Sequence, residues 1–262
     1  MKNMDLYEHE CGYFPELTCR ADYQLLPDID AVRACYSEVP EDITNEQLQI
    51  DMFTKFTQAG YRRASNLLYK NVCPHCSRCK SIRIDVQRFL PSKSQRKVLR
   101  INKDIAVYPC TNQAEFITPE KIALYRKYSL KHNAEMISEE KAIEELLYWH
   151  GMESLDSACN YSGTMNMEYL LGDRLVACSV IDEMEDGVSS VYFYYDTDRD
   201  IMRRSLGTFS ALYEIKQLQM IEAEYYYLGY YIAGHKNMAY KANFKPYELL
   251  NAQDEWQSGE PQ

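Results

Sequence analysis

A chain of 262 residues with 46% apolar and 26% charged side chains, and only 10 Gly and 9 Pro, can fill one large domain or two modest ones and is neither disordered nor fibrous. Its formal charge of −10, taken as a whole, argues against a surface made for nucleic acid. The opening MKNMDLYEHE lacks an apolar signal core, and no stretch approaches the roughly 18 apolar residues of a membrane span, so a cytoplasmic protein without membrane partners is expected.

In chain order, residues 44–60 are expected as a helix: Thr44 and Gln47 fit a capping box, Leu48, Phe53 and Phe56 share a face, and Gly60 is the stop. Residues 65–72 and 81–86 read as strands, the second from the alternation of Ile82, Ile84 and Val86. Residues 92–102 form a basic helix, and a short strand starts at Ile105. Two helices follow, 118–133 with Thr118 as cap and Pro119 at its first position, and 138–150 capped by Ser138. The period then changes to two. Strands at 165–171 and 175–182 flank a Gly172-Asp173 turn, a third runs 189–196, and a loop at 197–204 leads to a helix at 205–222 and a last strand at 225–231.

Charge is uneven along the chain. Residues 78–103 hold nine basic side chains against Asp85 alone, a local +8 that leaves −18 for the remainder. Salt confines each charge's reach to roughly 8 Å, so this block can be a polyanion footprint within an acidic protein. Ser92, Ser94 and Gln95 interleave with its bases as phosphate contacts do. Nine cysteines in a reducing compartment suggest metal binding or reactivity before disulfides. Cys73-x2-Cys76-x2-Cys79 has metal-ligand spacing, with Cys11 or Cys19 available as a fourth thiolate for Zn or an iron–sulfur cluster, against reduced structural or redox-sensitive thiols. Cys35, Cys110, Cys159 and Cys178 read as small buried apolar residues.

The element order describes a mixed α+β protein: a small Cys-containing α+β module (1–104), an acetyltransferase-like domain with a mainly antiparallel sheet (105–250), and a polar tail (251–262). Arg204-Ser205-Leu206-Gly207 lies where acetyltransferases hold the coenzyme A pyrophosphate on helix amides, but Phe209 fills the place of the last small residue. That departure argues against coenzyme A as donor.

Arg204-Ser205-Leu206-Gly207 together with Gly234-His235-Lys236-Asn237-Met238-Ala239-Tyr240-Lys241-Ala242-Asn243-Phe244-Lys245-Pro246 resembles the C-terminal signature of the aminoacyl-tRNA–protein transferases. Cys11-Gly12-Tyr13-Phe14-Pro15, Gly60-Tyr61-Arg62-Arg63-Ala64-Ser65, the Cys73–Cys79 motif and Pro91-Ser92-Lys93-Ser94-Gln95-Arg96-Lys97 are similar to the bacterial aspartate/glutamate leucyltransferase branch. The resemblance implies transfer of an amino acid, leucine in that branch and arginine in the eukaryotic one, from charged tRNA to an N-terminal Asp or Glu. The product is a degradation signal for the cell's degradation machinery. It also implies a cluster on cysteines, although Phe14 stands where the second early Cys belongs.

The donor ester is already activated, so transfer needs no cofactor; it needs positioning, a proton acceptor and oxyanion donors. Asp196 and Tyr194, at the end of the third strand, are candidates for base or relay, and the amides at Ser205 and Gly207 for oxyanion donors. An acidic acceptor terminus calls for a buried cation, for which Arg62, Arg63, Lys80, Arg83 and Lys241 are candidates, with Tyr240 beside the last. Arg96, Lys97, Arg100 and Arg204 are candidate tRNA contacts, and Cys11, Cys73, Cys76 and Cys79 candidate metal ligands. Two rival readings are a coenzyme-A-dependent N-acetyltransferase and a non-enzymatic RNA-binding sensor of redox state or iron.

Overall fold

The structure is a computed structural model that describes residues 6–26, 29–30, 33, 43–131, 133 and 135–259. Cys35 lies outside the described residues. Strands β1 (Tyr7–Glu10), β2 (Thr18–Leu25), β3 (Arg62–Ala64) and β4 (Leu67–Asn71) form a four-stranded sheet in the order β1-β2-β4-β3. Helix α1 (Asn45–Gln58) precedes β3, and its Thr44–Gln47 capping box is present. The single strand expected at 65–72 is the second arm of a hairpin, with Ser65 in the left-handed turn.

Eight further strands make the main sheet. They are β5 (Lys80–Asp85), β6 (Ile105–Cys110), β7 (Thr164–Leu171), β8 (Arg174–Met184), β9 (Gly187–Tyr195), β10 (Tyr225–Tyr231), β11 (Tyr247–Leu250) and β12 (Trp256–Ser258), in the order β12-β11-β5-β10-β9-β8-β7-β6. The expected boundary at residue 104 therefore runs through hydrogen-bonded structure, because β5 lies between β10 and β11. Residues 251–259, expected as a tail, carry β12 at the sheet edge.

Helices cover both faces. On one lies α6 (Leu206–Met220), flanked by α2 (Lys93–Ile101); Leu212, Ile215 and Leu218 of α6 bury against Ile82, Ile84, Tyr226 and Phe244. On the other, α3 (Pro119–Ser129) and α4 (Glu139–His150) cover β8 and β9 through Ile122, Tyr125, Leu146, Cys178 and Tyr194. Beside them the small sheet and α1 cover the rest, with Phe53 and Leu68 against Tyr161, Met184 and Tyr227. A short helix, α5 (Arg199–Met202), interrupts the loop expected at 197–204.

An adjacent-arginine pair joins the layers. Arg63 of β3 donates from Nε to Asp182 Oδ2 at 2.7 Å and from Nη2 to Oδ1 at 2.9 Å, with both side chains almost fully buried. Among the described residues no helix is long and apolar enough to cross a membrane.

Candidate active site

The main sheet is antiparallel except at one place. β9 and β10 pair in parallel, and only from Gly187 to Ser189 against Tyr225 to Tyr227. Beyond this both strands continue, β9 to Tyr195 on β8 and β10 to Tyr231 on β5, without pairing to each other. The sheet thus opens into a wedge whose backbone polar groups are free of the ladder on one side, which a sheet tolerates where a ligand or side chain replaces the partner.

Arg62 fills part of that opening from the small sheet. Its Nη2 donates to Ser190 O on the β9 side at 2.7 Å. On the β10 side it abuts Gly229, where a Cβ would stand 1.8 Å from Nη1. Gly229 has φ +82° and interrupts the register between β10 and β5, so this glycine both permits the bulge and leaves room for the guanidinium. Lys241, in the 3₁₀ turn Ala239–Asn243, is buried and donates from Nζ to Tyr230 O at 2.8 Å. Burial, and then the neighbouring charge of Arg62, push its ammonium down to about 7. The Tyr230 ring packs edge-on against Tyr69. Tyr13 and Phe14 lie edge-on to His235, and Arg78 stacks over Phe14 at 4.6 Å. The early Cys11 segment, the Cys73–Cys79 segment and the 234–243 segment thus meet at one end of the sheet.

The structure sorts the expected site residues into separate places. Asp196 is buried at the end of β9, where Lys127 Nζ lies 2.5 Å from Oδ1 and Arg174 bonds to Oδ2. Burial would raise its pKa, but Lys127, the Asp198 amide and Arg174 together hold the carboxyl below its ordinary value, so it is a pinned anion and a weak base. Tyr194 is wholly buried against Tyr125 and belongs to the cluster under α3 and α4. Arg83 is sandwiched between the Tyr225 ring at 3.6 Å and the Trp256 ring at 4.3 Å and paired with Glu248, and Arg63 is committed to Asp182. Arg204 forks onto Asp104 at 2.8 and 3.1 Å, tying the start of α6 to the end of α2. Ser205 has φ +57° and makes no side-chain cap, and Gly207 follows in the first turn of α6. Tyr240 is exposed. Arg96, Lys97 and Arg100 stand exposed on α2, lining a surface recess of about 670 Å³ with Ser92, Lys93 and Ser94.

Cys11, Cys73, Cys76 and Cys79, with Cys19 and Lys80, line one cavity of about 470 Å³. The donor set suits Zn or a thiolate-bound cluster. The placement does not: among the described residues no three His, Cys, Asp or Glu side chains surround a common point. Cys73 Sγ lies 3.9 Å from Cys19 Sγ. Burial pushes Cys79 up to about 11 and Cys19 up to about 12. Cys110 and Cys178 are buried, as expected, and Cys159 is partly so.

Sequence reasoning missed Tyr13, Tyr69, Tyr230 and Gly229 as walls of the wedge. The one available signal was a glycine inside the tyrosine-rich run of β10, which marks a bulge or a close approach.

The chain matches the family Arginine-tRNA-protein transferase, N terminus, over residues 9–97 and Arginine-tRNA-protein transferase, C terminus, over residues 120–251. It is 31% identical over 214 residues to an aspartate/glutamate leucyltransferase of Shewanella sp. strain ANA-3, covering 80% of this chain and 83% of that one. A relative of the same name from Gluconacetobacter diazotrophicus is 35% identical over 76% of this chain and 72% of its own. One from Leptospira interrogans is 30% identical over 92% and 84%. Similar solved structures include the C-terminal domain of a putative lysylphosphatidylglycerol synthetase from Agrobacterium fabrum, with a TM-score of 0.44 and 12% identity, covering 79% of this chain and 62% of that one. The chain belongs to the arginine-tRNA-protein transferase family. It is an aminoacyltransferase that moves an amino acid from aminoacyl-tRNA to a protein acceptor.

Proposed function

We propose that this enzyme transfers leucine from leucyl-tRNA to the N-terminal Asp or Glu of cytosolic proteins, marking them for the degradation machinery. The observation that carries the reading is the charge of the wedge: Arg62 and Lys241 stand there, while the nearby carboxylates Asp182 and Asp196 are engaged by Arg63 and by Lys127 with Arg174. Among the described residues Arg62 and Lys241 carry no carboxylate partner, so an arginyl side chain on the donor would meet like charge there, whereas a leucyl side chain needs only apolar contact. An acidic acceptor finds the charge it needs. The names of the curated relatives agree with this choice.

The chemistry is aminolysis of an ester. The neutral α-amine forms a C–N bond to the leucyl carbonyl, the ester C–O bond to the ribose breaks, and the amine's proton ends on the departing ribose oxygen. Holding amine and carbonyl about 3 to 3.5 Å apart supplies much of the rate, worth roughly 7 kcal/mol or more as effective molarity. The exposed bases of α2 hold the tRNA acceptor arm, because phosphates are gripped by clustered Lys and Arg regardless of sequence.

Incubation with leucyl-tRNA or arginyl-tRNA and a peptide beginning with Asp, followed by mass spectrometry, tests the reading. One leucine added to the peptide is expected. Arginine added in its place, or transfer of acetyl from acetyl-CoA with none from tRNA, would overturn it.

A further inference from the structure

Arg62 and Lys241 are an unusual pair. They come from different parts of the chain, converge on the same opening, and among the described residues neither forms an ion pair with a carboxylate. Lys241 is about nine-tenths buried. A buried ammonium normally has an anionic partner, because desolvating an unpaired charge costs several kcal/mol. The other titratable groups around the two do not supply one. Tyr13, Tyr69 and Tyr230 offer phenols, of which Tyr13 is pushed up to about 12, first by burial. The small sheet, the Cys11 segment, the Cys79 segment and β10 therefore leave two cations side by side without a counter-charge.

We propose that Arg62 and Lys241 form the seat for the side-chain carboxylate of the acceptor's N-terminal residue, and that they select Asp and Glu over neutral residues. This role rests on the leucyl-transfer reading above. The geometry suits the reaction, since the carboxyl group of Asp is only three bonds from its α-carbon's amine, and a carboxylate held at the splay point delivers that amine into the wedge. Arg62 is fixed by Ser190 O and Gly229, whereas Lys241 is on a flexible stem, so one fixed and one adjustable cation accept both the shorter and the longer acid. An Asn or Gln terminus leaves both charges unpaired.

The seat also couples binding to a proton. At a pH somewhat above 7 much of Lys241 is neutral in the free enzyme. A carboxylate bound against it favours the ammonium, so an acidic acceptor is taken up with a proton and a neutral one is not.

The test uses the full chain, leucyl-tRNA and peptides that differ only in beginning with Asp, Glu or Asn. For Lys241→Met, the expected result is a KM for the Asp peptide raised on the order of 30-fold or more, with the preference for Asp over Asn largely lost. Met keeps the length of the stem but leaves Tyr230 O without its donor, so urea unfolding of the variant is measured beside its kinetics to show that it is folded. Arg62→Gln should lose the same preference. Either variant retaining the full Asp-over-Asn preference with an unchanged KM would overturn the proposal. Calorimetric titration of the unmodified enzyme at pH 8, in two buffers of different ionisation enthalpy, gives an answer that does not depend on variants. Proton uptake is expected with the Asp peptide beyond that with the Asn peptide, and equal uptake would overturn the proposal. A parent enzyme that binds Asp peptides with this proton uptake but moves no leucine would leave the seat standing and refute the donor assignment alone.

Discussion

Arg62 and Arg63 are neighbours with opposite duties, and replacing Arg63 by Met separates them. Arg63 donates twice to Asp182, and also to Ser65 O at 3.2 Å and Trp149 O at 3.1 Å, so one guanidinium ties β3, β8 and the end of α4 together. Thr164 Oγ1 adds a bond to Asp182 Oδ1 at 2.8 Å. Removing the arginine leaves a carboxylate in the interior with a single hydroxyl donor. Breaking a buried pair in this way costs about 3–5 kcal/mol, a fifth or more of the roughly 5–15 kcal/mol available to a typical domain. Urea unfolding of Arg63→Met at pH 7, followed by circular dichroism and tryptophan fluorescence, should show that loss in the midpoint with little change in slope. The double variant Arg63→Met with Asp182→Leu should recover most of it, because the uncompensated charge is gone. A loss below about 1 kcal/mol, or a double variant no better than the single one, would show that Asp182 is not an isolated buried charge and refute the reasoning.

His150 is wholly buried, with one ring nitrogen 2.7 Å from Leu146 O and the other 2.8 Å from Asn166 Oδ1; burial outweighs both and holds it down to about 4. Below about 6.5 the unfolded chain takes a proton that the folded one refuses, so stability should fall by about 3 kcal/mol between pH 6.5 and 4, and a His150→Gln variant with an equally steep profile would contradict this. Gly229→Ala should drive Arg62 from its place, since the new Cβ would meet Nη1 at 1.8 Å and φ is +82°; a fall in kcat/KM for Asp peptides on the order of tenfold is expected, and activity within twofold of the parent would count against the placement of Arg62. Arg96→Ala and Arg100→Ala should weaken tRNA binding and flatten its salt dependence, with stability within about 0.5 kcal/mol of the parent; unchanged salt slopes in both would move the tRNA surface elsewhere.

Local rules made most of the elements legible. The capping box at Thr44–Gln47 and the caps at Thr118 and Ser138 formed where the side-chain chemistry required, whereas Ser92 and Gln95, read as phosphate contacts, close the capping box of α2, with Gln95 buried. β1 and β2 went unread because β1 is exposed on every residue and carries no alternation to detect. The place of β5 in the main sheet was also hidden, since its pairing with β10 and β11 joins residues at least 140 positions apart, which no periodicity records. The same limit governs the site. Asp196 and Tyr194 attract notice at a strand end, but strand parity turns Tyr194 toward α3 and α4, and Lys127, from another element, occupies Asp196. The meeting of Arg62 with Gly229 and of Lys241 with Tyr230 depends on long-range packing, so sequence could name Arg62 and Lys241 as candidates without finding their partners.

The distribution of neutralised charge explains how an acidic protein can still work on tRNA. Within the sheets, Arg63, Arg83 and Arg174 are each paired with carboxylates, so they contribute little field at the surface. Among the described residues Lys93, Arg96, Lys97 and Arg100 of α2 form no ion pair, nor do Arg62 and Lys241 in the wedge. These two groups are held in fixed relation. Gln95 at the start of α2 donates to Asn243 O, at the end of the turn that carries Lys241, and Val98 and Leu99 pack against the core beneath α6. Unpaired positive charge therefore runs from an exposed helix toward the opening in the sheet. With screening near 8 Å, a polyanion can be attracted along that route although the chain's net charge is negative. A net charge of −10 then acts as an orienting device, bringing in an acceptor end and discouraging broad coating by RNA.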